Sequence, residues 1–367
     1  MELDICIFEF IWNLIFVFWN LILISMKNVM ILAVCGFIST FAFSQSDSSD
    51  FYYQKGLTEK QARRFREAEK NFSKASQFAP SNTNVLVEWG QSLMEQNRYT
   101  EAKDKFTKAY QADNKNPVVI EKLAMLSLNT HQWNDAITYA KKMQELKIGK
   151  SAGYIMAKAY YEQENYGECL KYCELAFKED PARAEIPYIA GRSLVEMSNY
   201  KKAAGCYEQA IERDSTKPTW MYEAALVYYA IPDDKKAIFW FEKAAAKGYP
   251  RSNDYIENLA NAYLNIKNYE KGIALMQEVL QKKPSDQELL YNIADAYYKI
   301  GKYQDAIDYW DKILTADKQN ANALYMIGLA YQKKGEKEKG EQLCEKAIQM
   351  DPSLKNLKQE KKQPEGM

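Results

Sequence analysis

The residues with the most chemical potential are few and scattered. Gly149 to Gly153 reads GKSAG and satisfies the pattern G-x-S-x-G. A serine in that setting is a nucleophile when a strand precedes it and a histidine follows later in the chain to take its proton. The only histidine, His131, lies upstream, at a position that reads as an exposed turn, so Ser151 lacks an acceptor. One histidine also removes the commonest general base and most metal-ligand sets. Cys169 and Cys173 are four apart, on one face of a helix. With no second pair of cysteines and no histidine beside them they read as buried small hydrophobes, not a zinc or redox site. In an oxidising compartment Cys173 and Cys206 form the one pair worth considering as a disulfide. The sequence has no phosphate-binding glycine loop and no H-E-x-x-H. The expectation is a chain that is not an enzyme, with no cofactor and no metal.

The bulk composition agrees. In 367 residues, lysines plus arginines and aspartates plus glutamates number 49 each, so no net field draws the chain to nucleic acid or to an anionic bilayer. The first 44 residues differ from the rest. Ile5 to Ile24 is nearly all apolar but is flanked by Glu2 and Asp4 with no basic residue. From Met26 the chain reads MKNVMILAVCGFISTFAFSQ: a lysine, an apolar run, then small residues before Gln45. That is the layout of a secretory signal, cleaved after Ser44. The reading is therefore a mis-called start at 1–25, a signal peptide at 26–44 and a polar linker at 45–48. The rival is an N-terminal membrane anchor retained through an uncleaved segment, and export places the chain in the periplasm or the envelope. A lipid anchor at Cys35 is disfavoured by the bulky Val34 before it. Removing residues 1–44 takes away one lysine and three acids and leaves the charge near neutral.

Past the linker the chain repeats itself with a period of 34 residues. Nine units are placed at 49–82, 83–116, 117–149, 150–183, 184–217, 218–252, 253–286, 287–320 and 321–354, followed by a lysine-rich tail at 355–367. Column 8 of the unit is always Gly or Ala, from Gly56 to Gly328. Column 20 is Ala, Gly or, once, Cys169. Column 17 is aromatic in seven of nine units, the exceptions being Asp234 and Lys337. Apolar residues fall three and four apart, as in Leu290, Ile293, Ala294 and Tyr297, which marks helices. Two short amphipathic helices make a hairpin. The small columns let the backbones approach, and the column-17 aromatic opens the second helix. No hairpin buries its stripe alone, so the units must stack.

This pattern resembles the tetratricopeptide repeat, most fully at 287–320 and 321–354, and the sixth unit, with KKAIFWFEKAAAKGYP, also looks like the Sel1-type repeat. The resemblance implies an all-α fold, a right-handed α-solenoid of stacked helix-turn-helix hairpins. Lys55 and Glu59 replace apolar residues in the first unit, as suits a solubilising cap. It further implies that a protein or peptide lies along an inner groove lined by first-helix columns 2, 5, 9, 12 and 13. The residues carried over to that groove are Tyr154, Tyr188, Tyr222, Tyr291 and Tyr325 at column 5, Tyr161, Tyr229 and Tyr298 at column 12, and Lys158, Arg192 and Asn261 at column 9. Asn258 and Asn292 stand at column 6. Tyrosines there suit contact with an extended peptide, although tyrosine is also the family's ordinary choice at those columns. No unit has the column-5 lysine with which chaperone-binding members clamp a terminal carboxylate, and Glu257 stands where that charge is wanted. The expected function is an exported, non-catalytic scaffold or adaptor of the bacterial cell envelope. An RNA-binding helical-repeat protein is the alternative, opposed by neutral charge and by export, and an enzyme using Ser151 is a more distant one.

Overall fold

The computed structural model describes residues 48–355. Residues 1–25, read above as a mis-called start, the expected signal segment at 26–44 with Met26 and Cys35, most of the expected linker and nearly all of the tail lie outside the described residues. Among the described residues the chain is helical with no strand, eighteen α-helices following one another in helix-turn-helix order. No helix among them is long and apolar enough to cross a membrane.

The helices fall in two compact units that divide after Asn165, inside the fourth repeat. The first holds α1 (residues 48–61), α2 (Phe65–Phe78), α3 (Thr83–Met94), α4 (Tyr99–Ala112), α5 (Pro117–Asn129), α6 (Trp133–Glu145) and α7 (Ala152–Glu162). The second opens with α8 (Tyr166–Glu179), α9 (Glu185–Glu196), α10 (Tyr200–Arg213), α11 (Pro218–Ala230) and α12 (Asp234–Ala246). It continues with α13 (Asn253–Asn265), α14 (Tyr269–Leu280), α15 (Gln287–Lys299), α16 (Tyr303–Ala316), α17 (Ala321–Lys334) and α18 (Lys337–Met350). Within each unit a helix packs on its hairpin partner and on the helix of the next hairpin, so that α4, for example, touches both α3 and α5. This is how short helices that cannot bury a stripe in isolation share one continuous core.

Local chemistry sets the punctuation. Many first helices start on a side-chain cap: Asn82, Asn116, Ser252, Asp286 and Asn320 each accept a hydrogen bond from a free N–H of the first turn. They end in a Schellman-type turn, in which the column-16 N–H donates to the column-11 carbonyl. Examples are Arg98 to Leu93, Gln132 to Ser127, Asn199 to Leu194 and Lys302 to Tyr297. That turn requires positive φ at column 15, and eight of the nine units supply it: Arg63, Asn97, His131, Glu164, Ser198, Lys267, Gly301 and Gly335. Only two of these are glycine, the one residue that adopts the conformation without steric cost. The column-17 residue then begins each second helix, at Phe65, Tyr99, Trp133 and onward to Lys337.

The small columns are where the sequence puts them, at the crossing of each hairpin. Ala102, Ala136, Ala203, Ala225, Ala237, Ala260, Ala294 and Ala306 have no exposed surface. The last hairpin is the tightest. A Cβ on Gly340 would come within 2.5 Å of the Gly328 carbonyl oxygen, so here both columns must be glycine for the backbones to meet. Beyond α18 a short 3-10 turn, Pro352–Leu354, lays Leu354 over the end of the core, 6% exposed.

Candidate functional site

The catalytic reading of Ser151 finds no support in its surroundings. Ser151 directly precedes α7 and its side chain caps nothing, while His131 is an exposed left-handed turn residue packed edge-on against Trp133 at 4.9 Å. The four described cysteines are free. Cys169 Sγ lies 4.0 Å from Cys173 Sγ and accepts a hydrogen bond from the Ser193 hydroxyl at 3.1 Å. Contact with Cys169 and burial push the Cys173 thiol far above the ordinary range, and burial alone raises Cys206. Such thiols are poor nucleophiles. Among the described residues no cluster of three or more His, Cys, Asp or Glu side chains could hold a metal ion.

The residues assigned to the inner face divide between the two units. Tyr154, Lys158 and Tyr161 lie along α7 in the first unit, all half-buried. The others belong to the second. Tyr188 on α9 stacks on Trp220 with ring centroids 4.5 Å apart and meets Tyr207 edge-on at 5.9 Å. Tyr222 on α11 stacks on Tyr249 at 4.3 Å and leans on Phe241 and Tyr255. Its hydroxyl accepts a hydrogen bond from the Asn258 amide at 3.3 Å. Tyr291 and Tyr298 on α15 both tilt against the buried Trp310, at 6.2 and 5.9 Å, and burial raises the pKa of each phenol. Tyr229 is half-buried near the end of α11. Asn261 and Asn292 are half-buried and make no side-chain hydrogen bond among the described residues, which leaves two amides available to a ligand. Tyr325 is different: only 2% exposed, it packs among Leu324, Cys344 and Leu354 and offers no ring face to a ligand.

The column-5 rings therefore have two duties. Tyr188, Tyr222 and Tyr291 are half-buried because a face or edge of each is already used by an aromatic of its own or the following repeat, and what each can show a ligand is a remaining edge and, for some, a hydroxyl. The packing holds those edges in fixed places, which lowers the ordering cost of any contact they make.

Sequence reasoning missed a cavity in the second unit. A pocket of about 260 Å³ opens between α9, α10 and α11, lined by Arg192, Val195, Glu196, Tyr200, Tyr207, Glu223, Leu226 and Val227. Arg192 sits with its guanidinium carbon 5.8 Å from the Tyr188 ring centre. Glu223 accepts hydrogen bonds from two phenols, Tyr188 to Oε1 at 3.1 Å and Tyr207 to Oε2 at 2.8 Å. Burial, and then the Glu223 charge, push the Tyr207 phenol far above its usual range, so it stays protonated and donates. The signal was thin. Glu223 occupies column 6, and nothing within one repeat says that phenols 35 residues before it and 16 residues before it converge on its carboxylate.

Stacked hairpins with small crossing columns define a helical-repeat module. The sequence profile described as tetratricopeptide repeat matches residues 53–117, 188–255 and 291–354, more than half of the chain, and the chain belongs to that family. A second profile, that of anaphase-promoting complex (cyclosome) subunit 3, matches 129–210 and 233–312. The family's members bind proteins or peptides, and the fold is that of a protein-interaction scaffold. No curated protein matches the chain. Among solved structures, YrrB, described as a tetratricopeptide-repeat protein with an unusual peptide-binding site, is 23% identical, with 52% of this chain and 98% of that one covered at a TM-score of 0.43. The C-terminal part of a repeat protein from Cytophaga hutchinsonii is 21% identical over 62% of this chain and 94% of its own, at 0.46. The tetratricopeptide domain of P58(IPK) covers 86% of this chain and 99% of its own at 15% identity and 0.29.

Proposed function

We propose that this chain is an exported, non-catalytic scaffold of the bacterial cell envelope that binds a protein or an extended peptide along the first-helix face of its second unit. One observation carries the reading. On α9, α11 and α15, the half-buried Tyr188, Tyr222 and Tyr291 are fixed against other aromatic rings, while the side-chain amides of Asn261 on α13 and Asn292 on α15 make no hydrogen bond among the described residues. A fixed apolar edge beside an unsatisfied amide suits an extended backbone, which needs hydrogen-bond partners at regular intervals and contact between them. Export rests on the sequence from Met26 to Ser44, whose lysine, apolar run and small residues form a secretory signal.

The test is site-specific photocrosslinking in the native host, with envelope and soluble fractions analysed separately. A photoreactive residue at Asn261 or Asn292 is expected to trap one discrete partner in the envelope fraction, whereas the same residue at the exposed second-helix positions Gln209 and Lys243 traps none. Equal trapping from both sets would move binding off the first-helix face. Trapping from the first-helix positions only in the cytosolic fraction would overturn export.

A further inference from the structure

Glu223 is an unusual carboxylate for a repeat face. Two phenols hold it, one on each oxygen, and no lysine or arginine forms an ion pair with it among the described residues. A carboxylate accepts about four hydrogen bonds, so each oxygen keeps a lone pair, and Glu223 lines the pocket of about 260 Å³ between α9, α10 and α11. The rest of the lining sorts by chemistry. Val195, Leu226 and Val227 are aliphatic, Tyr200 and Tyr207 supply rings, and Arg192 faces two acids, Glu196 and Glu223, an excess of one negative charge.

We propose that this pocket is the subsite for a basic side chain, arginine or lysine, of the bound peptide, with Glu223 as its charge partner. The inference rests on the groove reading above and specifies what one position of the ligand must be. A pocket that sets aliphatic side chains beside a fixed carboxylate matches a side chain with an aliphatic stem and a cationic head. The volume is smaller than the roughly 300 Å³ at which small-molecule sites begin, and fits one side chain rather than a cofactor. Because the two phenols already hold the carboxylate, the incoming cation meets an acceptor that pays little further ordering. A guanidinium can span both remaining lone pairs, which makes arginine the better of the two heads. Arg192 does not occupy the position, since its guanidinium lies over the Tyr188 ring. An apolar side chain would strip water from Glu223 and return nothing, and an acidic one would be repelled.

The experiment titrates the purified chain with N-acetylarginine amide and reads the methyl resonances of Val195, Leu226 and Val227 by NMR. Saturable shifts in the millimolar range are expected, with N-acetylnorleucine amide, equal in stem but uncharged, weaker by about tenfold, as fits the loss of one charge-assisted contact. Glu223→Gln is near-isosteric: its amide oxygen accepts from one phenol and its NH2 can donate to the hydroxyl oxygen of the other. It should weaken the arginine probe about tenfold while leaving backbone hydrogen exchange in α9 to α11 unchanged, and Glu223→Lys should abolish binding. Equal affinity for the norleucine and arginine probes, an unaltered Glu223→Gln variant, or no saturable shift would each overturn the assignment. The two readings fail separately. Crosslinks from Asn261 with no probe binding would remove the basic subsite and keep the groove. Probe binding that depends on Glu223, with no crosslinks, would do the reverse.

Discussion

The two units use one hairpin frame and seal the joints between repeats with different chemistry. In the first unit the core is aliphatic with isolated phenylalanines, among them Phe72, Leu86, Leu93, Phe106, Leu123 and Leu126. Column 11 carries Glu59, Leu93 and Ser127 in its first three repeats. Its polar cross-repeat links lie at the surface, as in Lys60 with Glu88, Arg98 with Glu69 and Lys103 with Asp135. The second unit puts phenols into the joint. Tyr228 donates to Glu208 at 2.5 Å and Tyr263 to Glu242 at 2.5 Å, each acceptor belonging to the preceding repeat, and Lys236 and Lys271 in turn approach those phenols at 3.1 and 3.3 Å. Tyr297 stands at the same column with a neutral partner and the opposite direction, its hydroxyl accepting from the Gln277 amide at 3.1 Å. The small columns 8 and 20 fix the hairpin, while column 11 is free to vary and decides how firmly one hairpin is tied to the next.

The largest effect that would probe this difference is truncation of Tyr255, 1% exposed, whose hydroxyl donates to the Phe241 carbonyl at 3.0 Å within a group of four aromatic rings. Tyr255→Ala should cost about 3–5 kcal/mol. Because repeat arrays need not unfold in one step, the loss is best read by hydrogen exchange, where it should fall on α11 to α14. Phe106→Ala in the first unit should cost a similar amount, with its effect confined to α3 to α5. If either variant released every helix of the chain together, the two units would be one cooperative body and the comparison would lose its basis.

Gly340→Ala comes next. Alanine is what column 20 holds in most units, and a consensus argument would expect it to be harmless or stabilising. The structure gives the opposite sign, because the new Cβ would meet the Gly328 carbonyl at 2.5 Å, and backbone cannot step aside as a side chain can. A loss of about 1–3 kcal/mol is expected, measured by urea unfolding followed at α17 and α18. Gly272→Ala, where the nearest atoms belong to the Leu264 side chain, should cost less.

The phenol clasps are smaller in effect and bear most directly on the contrast. Tyr228→Phe and Tyr263→Phe should each cost about 0.5–1.5 kcal/mol, the ordinary worth of one hydrogen bond, and Tyr297→Phe should lie at or below the low end because its hydroxyl accepts from the neutral Gln277 amide instead of donating to a carboxylate. A double-mutant cycle of Tyr263→Phe with Glu242→Gln should show coupling. Additivity there would mean that the phenols merely fill space, as Leu93 does in the first unit.

What the sequence made legible follows from the range of each interaction. Columns 8, 17 and 20 concern residues that meet within one repeat, and a period of 34 residues displays them side by side, so the helical hairpins, the small crossings and the residue opening each second helix could all be read. The turn at His131 was legible for the same reason. Contacts between repeats were not. Tyr222 against Tyr255 and Tyr188 against Trp220 join residues 33 and 32 apart in columns that do not correspond, so the column-5 tyrosines looked freer than they are. Tyr325 shows the same failure at the end of the chain, where Leu354 and Cys344 close over a column that is half-open elsewhere. The Glu223 pocket needs three helices at once, and no repeat-by-repeat reading assembles it.

The smallest expected effect is one on which the two units should agree. Column 15 is left-handed in both units, with His131 at φ 57° and Lys267 at φ 62°, and a residue with a Cβ meets a steric cost in that conformation. Glycine removes the steric cost but adds freedom to the unfolded chain, so the net gain is a fraction of the strain. His131→Gly in the first unit and Lys267→Gly in the second should each stabilise by about 0.5–1 kcal/mol, seen as slower exchange at the Gln132 and Asn268 amides, whose N–H groups close the two turns on the Ser127 and Tyr263 carbonyls. Equal gains would show that the turn belongs to the shared frame and that the units differ only in their joints. A gain at His131 without one at Lys267 would mean that the second unit's clasp at Tyr263 and Lys271, which flanks that turn, already supports the strained residue.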